Sequence, residues 1–134
     1  MDMPEDAVIQ YKKILSIIPD SQSESIRLFQ LDTIASLVES LLKLQEAVEA
    51  HRWAQKHFHL VDKSTPNAEC VRSYRMVGMT LMHLQDLSAA YKNFNEMEKM
   101  SLQVGDPELQ EEVDHVLKTL SQSAAQRAFG KNKQ

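Results

Sequence analysis

The chain has 134 residues, 43% of them apolar and 25% charged, the composition of one soluble globular domain rather than of a disordered segment. Its net charge is −4 and it holds no dense Lys/Arg cluster, which excludes the basic stripe a nucleic-acid binder needs to displace counterions. Cys70 is the single cysteine, no run of about 18 apolar residues occurs, and the acidic start Met1-Asp2-Met3-Pro4-Glu5-Asp6 lacks the layout of a secretory signal. A soluble protein of the cytoplasm, or of another reducing intracellular space, with no membrane span, is therefore expected.

Three Gly and four Pro are less than half the usual share of the two, so long helices are favoured over many turns. Segment 5–18 places Ala7, Ile9, Tyr11, Ile14, Leu15 and Ile18 near one face and stops at Pro19. Ser21-Gln22-Ser23-Glu24 has capping-box spacing, with the hydroxyl taking a backbone N–H and the Glu reaching back. No breaker follows before Leu44, so 22–44 is one long helix or two abutting ones. The next helix runs from about Glu46 to Val61. Thr65-Pro66 predicts a fresh start, with Thr as N-cap and Pro at the first helical position.

That helix carries Val71, Tyr74, Val77, Leu81 and Leu84 at three-four spacing and ends near Gln85. Asp86 caps its successor, whose stripe is Leu87, Ala90, Tyr91, Phe94, Met97 and Met100, and Gly105 closes it as a left-handed cap. Asp106-Pro107-Glu108 sets carboxylates against the positive end of a last helix. Leu109, Val113, Val116, Leu117 and Leu120 carry that helix to about Ser121, and a turn or two over 123–129 precede Gly130 and a polar end.

No nucleophile motif, Gly-rich phosphate loop or paired-carboxylate arrangement is present, so no catalytic or cofactor-binding residue is assigned and an enzyme is not expected. His51, His57 and His59 share a helix. Their spacings of two, six and eight include no adjacent-turn pair of the kind a helical zinc site needs, so no metal is assigned either.

Internal repetition is the strongest signal. Leu41-Leu42-Lys43-Leu44-Gln45-Glu46 returns forty residues later as Leu81-Met82-His83-Leu84-Gln85-Asp86, with Ala50 and Ala90 following at the same distance. The match includes the turn, which an accidental amphipathic similarity would not preserve. Tyr74-x2-Val77-Gly78-x2-Leu81 followed by Ala90-x3-Phe94 resembles the tetratricopeptide repeat (TPR), in a longer variant of about forty residues. The small residues make physical sense there: Gly78 and Ala90 would sit where two antiparallel helices cross closely, with Tyr74 and Phe94 in the wider gaps. The earlier copy is degenerate, Ile34-x2-Leu37-Val38-x2-Leu41 then Ala50-x3-Ala54, with Val38 replacing Gly and Ala54 the aromatic, and Trp53 or Phe58 standing by to supply bulk.

The resemblance implies one domain over 1–134, all-α, with antiparallel hairpins stacked as a short right-handed solenoid. Its units are a half repeat at 5–18, a degenerate repeat at 22–61, the best repeat at 66–104, and a terminal helix or helices at 107–129. It further implies a scaffold or adaptor module, non-enzymatic and without cofactor, that holds a peptide or helix of another protein on the concave face of the first helices. On that face stand Arg72, Arg75, Met76, Met79, Met82 and His83, with Asp32, Ala35, Ser36, Glu39, Leu42 and Lys43 at the equivalent earlier positions. Methionines suit an adaptable contact surface, and arginines suit carboxylates or carbonyls. Met76 and Met79 would equally serve by packing on the neighbouring hairpin. TPR co-chaperones that grip acidic chaperone termini place Lys and Asn where this chain has Ala35 and Glu39, so that clamp is not expected here. The alternative is a structural segment that self-associates or belongs to a larger scaffold, because repeats bury their apolar faces only against neighbours.

Overall fold

Caps and breakers decide where the helices of this all-α chain begin and end. The computed structural model describes residues 3–19, 23–64, 67–105 and 107–132. Among the described residues run α1 (Pro4–Ile17), α2 (Glu24–Lys43), α3 (Ala47–Leu60), α4 (Ala68–His83), α5 (Leu87–Val104) and α6 (Pro107–Asn132), with no strand. Pro4 opens α1 at a position whose N–H would be unpaired anyway, and Glu5 and Asp6 face the positive end of its dipole. Within the segment 22–44, Glu24–Lys43 form one unbroken helix, α2, and its N-cap residue is Ser23. The expected cap Ser21, with Gln22, lies outside the described residues.

Two boundaries differ from expectation. The helix expected to begin at Thr65-Pro66 begins at Ala68 with Asn67 as N-cap; Thr65 and Pro66 themselves lie outside the described residues. The reason is local. Asn67 Oδ1 accepts the Cys70 backbone N–H at 2.9 Å while Asn67 Nδ2 donates to the Asp62 carbonyl at 3.0 Å, tying cap and loop together. Asp62 in turn accepts from the Ser64 backbone N–H at 2.9 Å and hydroxyl at 2.7 Å, which hold its carboxyl below the usual range. Secondly, the last helix does not stop near Ser121 but continues to Asn132. Asp106, expected to open it, lies outside the described residues. Gly105 closes α5 as expected at φ 77°, yet two non-glycine residues share its left-handed backbone.

Those two are Gln45 (φ 61°) and Gln85 (φ 67°), one in each copy of the repeated hexapeptide. Glu46 N–H donates to Leu41 O at 2.9 Å and Gln45 N–H to Leu42 O at 3.0 Å. Asp86 N–H to Leu81 O and Gln85 N–H to Met82 O, both at 3.0 Å, repeat the pattern forty residues on. Each turn is a Schellman motif, which satisfies carbonyls at the end of the preceding helix. Asp86 Oδ1 then accepts from Ala89 N–H at 3.2 Å and opens α5 at once.

Each helix packs on its neighbours in the chain, and α2 also reaches α4. One core cluster joins Val8 of α1, Ile34, Leu37, Val38 and Leu41 of α2, Ala50 and Ala54 of α3, and Met76 and Val77 of α4. A second joins Val71 of α4, Ala90, Phe94 and Met97 of α5, and Val113 and Leu120 of α6. The helix α4 therefore feeds both. Phe58 and Tyr74, edge to face at 5.1 Å, seal the α3–α4 seam.

Close approach at Gly78 has a different occupant from the one its sequence suggests. A β-carbon there would stand 2.8 Å from Phe94 Cζ and 2.9 Å from Cε2, so the Phe94 ring itself lies on Gly78 rather than in a gap beside it. In the earlier copy the sizes are exchanged: Val38 is large where Gly78 is small, and Ala54 is small where Phe94 is large. Both are buried in one cluster, so the degenerate copy fills its interior by the opposite division of volume.

Candidate partner-binding groove

The helices α2 and α4 are both followed by a hairpin turn and lie side by side, leaving a groove of about 430 Å³ between them. Ala35, Ser36, Val38, Glu39 and Leu42 line it from α2, and Arg72, Arg75, Met76 and Met79 from α4. Five of these nine are apolar, and Val38 and Met76 belong to the core beneath. The floor is thus continuous with the hydrophobic interior, while the rim is charged.

The rim charges are already engaged. Arg72 Nη1 lies 2.6 Å from Asp32 Oδ1 and 3.4 Å from Glu69 Oε1. Arg75 Nε lies 2.8 Å from Glu112 Oε1. The first pair ties α2 to α4, and the second ties α4 to α6, so the two arginines staple alternate helices. Glu39 pairs more loosely with Lys43 at 3.7 Å, one turn along α2. Exposed pairs of this kind contribute only about 0–1 kcal/mol each, so their value lies more in setting geometry than in stability.

Of the residues expected on the face, Arg72, Arg75, Met76, Met79 and Glu39 line the groove and Lys43 joins it through Glu39. Met79 and Met82 both pack against the α4–α5–α6 cluster, Met82 without lining the groove, and His83 is exposed outside the lining. The ion partners Glu69 and Glu112 escape a linear reading because they depend on neighbouring turns and helices. Asp32–Arg72 did leave a signal, since a separation of forty residues, the spacing of the repeated hexapeptide, places the two at matching positions on α2 and α4.

A second hollow of about 380 Å³ continues the furrow towards the start of α2, with Leu28 and Leu31 facing Val61, Ala68 and Glu69. The Asp32–Arg72–Glu69 bridge stands between the two hollows. Behind the bridge is His57 of α3, fully buried, with Nε2 3.6 Å from Glu69 Oε2. Among the described residues neither ring nitrogen of His57, nor Glu69 Oε2, nor the Ser73 hydroxyl has a hydrogen-bond partner. Burial, and then the Arg72 guanidinium, push the His57 pKa down to about 4, with Asp32 acting the other way. The imidazole is therefore neutral near pH 7.

His51 has a different role. Thr80 donates its hydroxyl hydrogen to Val77 O at 2.9 Å, so His51 Nδ1 must be the donor to Thr80 Oγ1 at 2.8 Å. His59 is exposed, and no group of three or more metal-ligand side chains converges among the described residues. No described helix is long and apolar enough to cross a membrane. Comparison with protein families, with curated proteins and with solved structures gives no match.

Proposed function

We propose that this chain is a non-enzymatic interaction module of TPR-like helical hairpins that holds a helix or peptide of a partner protein in the α2–α4 groove. One observation carries the reading: a furrow between alternate helices whose floor of Ala35, Val38, Leu42, Met76 and Met79 is apolar while its rim is charged. Apolar surface bounded by polar residues suits a protein ligand, and thioethers repack cheaply around different side chains. The TPR-like assignment draws further support from the matching Schellman turns forty residues apart and from the ring seated on Gly78. A buried free thiol at Cys70 suits a reducing intracellular setting.

A photocrosslinking residue at Ser36, in the groove, and another at Gln55, exposed on α3, test the site. The expected result is one discrete adduct from Ser36 only, lost when Leu42→Glu and Met79→Glu are added without loss of helix content. Equal adducts from both positions, or an adduct that survives those substitutions, would move the site elsewhere. Self-association is the second reading. It rests on exposed Ile9 and Ile17 of α1 and Phe29 of α2, at 62%, 77% and 53% exposure. Light scattering over a concentration series would favour it if mass rose with concentration and fell in Ile17→Lys with Phe29→Lys.

A further inference from the structure

We propose that Arg72 couples the groove to the core: an anion seated on its unused edge favours the imidazolium of His57, so occupancy of this end of the groove takes up a proton. The partner in this statement rests on the function proposed above, but the coupling itself belongs to the free protein.

The chain of contacts runs from surface to interior. Arg72 lines the groove and its side chain is 36% exposed. Both of its ion contacts go through Nη1, to Asp32 and to Glu69. A guanidinium has five N–H donors in a planar fork, so the Nε–Nη2 edge is unspent among the described residues and matches a carboxylate. Glu69 spends Oε1 on Arg72, and its buried Oε2 faces His57 at 3.6 Å. The charged groups facing His57 are Glu69 and Arg72 from α4 and Asp32 from α2.

With Arg72 in place, its positive field opposes a second cation at His57. An anion on the free edge offsets that field and competes with Glu69 for the guanidinium. Both effects leave the Glu69 carboxylate beside an imidazole that has no other partner, and a proton on Nε2 would then meet a full negative charge. Because linkage is reciprocal, an anion that favours the imidazolium must bind more tightly when the imidazole is charged.

The test uses NMR titration of the His57 ring in the full chain. Trifluoroacetate serves as the anion, because it stays ionised through the range, and chloride at equal ionic strength is the reference. R72Q is expected to raise the proton affinity of His57 about tenfold or more, as removal of a nearby like charge does. R72K keeps the charge and should leave that affinity within a few-fold of the parent, while losing most of the trifluoroacetate response. In the parent, trifluoroacetate should raise the affinity, and in R72Q it should not. An unchanged His57 in R72Q overturns the proposal, as does an anion response as large in R72Q as in the parent. So does a rise in R72Q that persists in full when E69Q is added, for then water has simply entered.

If acid unfolding precedes the titration, the pH dependence of stability carries the same information. R72Q should then lose less stability than the parent between pH 6.5 and 4, and an equal loss overturns the proposal. None of these readouts involves the partner, so failure here leaves the groove assignment standing, and failure of the crosslinking test leaves the coupling standing.

Discussion

The contact between Gly78 and the Phe94 ring predicts an unusual mutational cycle. Replacing a helical Gly by Ala ordinarily stabilises by about 1 kcal/mol. Here the new β-carbon would meet Phe94 Cζ at 2.8 Å, where carbon pairs prefer about 3.5–4 Å. The ring is fully buried among Val71, Met97 and Val113 and has nowhere to retreat. Overpacking of this kind costs about 1–3 kcal/mol, so Gly78→Ala should be neutral to destabilising by about 2 kcal/mol despite its better propensity. Phe94→Ala should cost about 3–5 kcal/mol through the cavity it leaves. Added to Phe94→Ala, the Gly78→Ala change should regain about 1 kcal/mol or more, since propensity returns and the clash is gone. Gly78→Val with Phe94→Ala goes further and installs the Val38–Ala54 division of volume found in the other hairpin. Urea unfolding followed by circular dichroism at constant m-value reads all four corners of the cycle. If Gly78→Ala alone stabilised by the full propensity, or if the two changes simply added, the ring would not be resting on the glycine.

The remaining predictions follow from single features. His57 titrates at about 4 in the folded chain against about 6.5 unfolded, so its contribution is complete above pH 6.5 and is lost as pH falls towards 4. The loss amounts to about 3 kcal/mol, and His57→Leu should flatten that part of a pH series of urea midpoints. Gln45→Gly and Gln85→Gly should each stabilise by about 0.5–1 kcal/mol, because glycine relieves the left-handed backbone at the cost of some unfolded-state entropy. Thermal melts of the single and double variants check this. Deleting residues 1–20 removes Val8, Tyr11 and Leu15 from the core cluster that includes α2 and α3. It should lower the melting temperature at every protein concentration, whereas release of a stable monomer from a dimer would show that α1 belongs to an interface.

The helices and both hairpin turns were legible because their signals are local. Three-four apolar spacing marks buried faces, and a repeated hexapeptide marks a repeated turn. The start of α4 was misplaced because Thr65-Pro66 carries the stronger local motif, while Asn67 prevails through its bond to the Asp62 carbonyl five residues back. The end of α6 lies beyond its expected stop because the apolar stripe runs out at Leu120 and the polar run Ser121-Gln122-Ser123 follows. The groove lining was legible through the forty-residue register, yet the engagement of its arginines was not, since Glu69 and Glu112 declare themselves only in three dimensions. His57 was readable in retrospect. It stands seven residues after Ala50 and three after Ala54, on the buried face of α3, a spacing that marks a core position and not a metal ligand.

Arg72 has two jobs, and a charge exchange separates them. It bridges α2 and α4 through Asp32, and it neutralises Glu69 in front of His57. Asp32→Arg alone sets two cations together, and Arg72→Asp alone sets carboxylates at 32, 69 and 72 together. Combining the two changes restores an opposite pair between the helices at equivalent repeat positions, so the α2–α4 spacing should survive. The exchange does not restore the second job, because the new aspartate stands three residues from Glu69 on one helix face and repels it. Stability near pH 7 should therefore recover to within about 1 kcal/mol of the parent, as expected for a partly exposed pair. The His57 ring gains an anion at 72 and a cation at 32, and because position 72 acts on it more strongly than position 32, it should gain proton affinity. Urea unfolding at neutral pH reads the first quantity and NMR titration the second. Recovery of both together would mean that Arg72 acts on His57 only by holding the helices in place, and the separate electrostatic path through Glu69 would have to be abandoned.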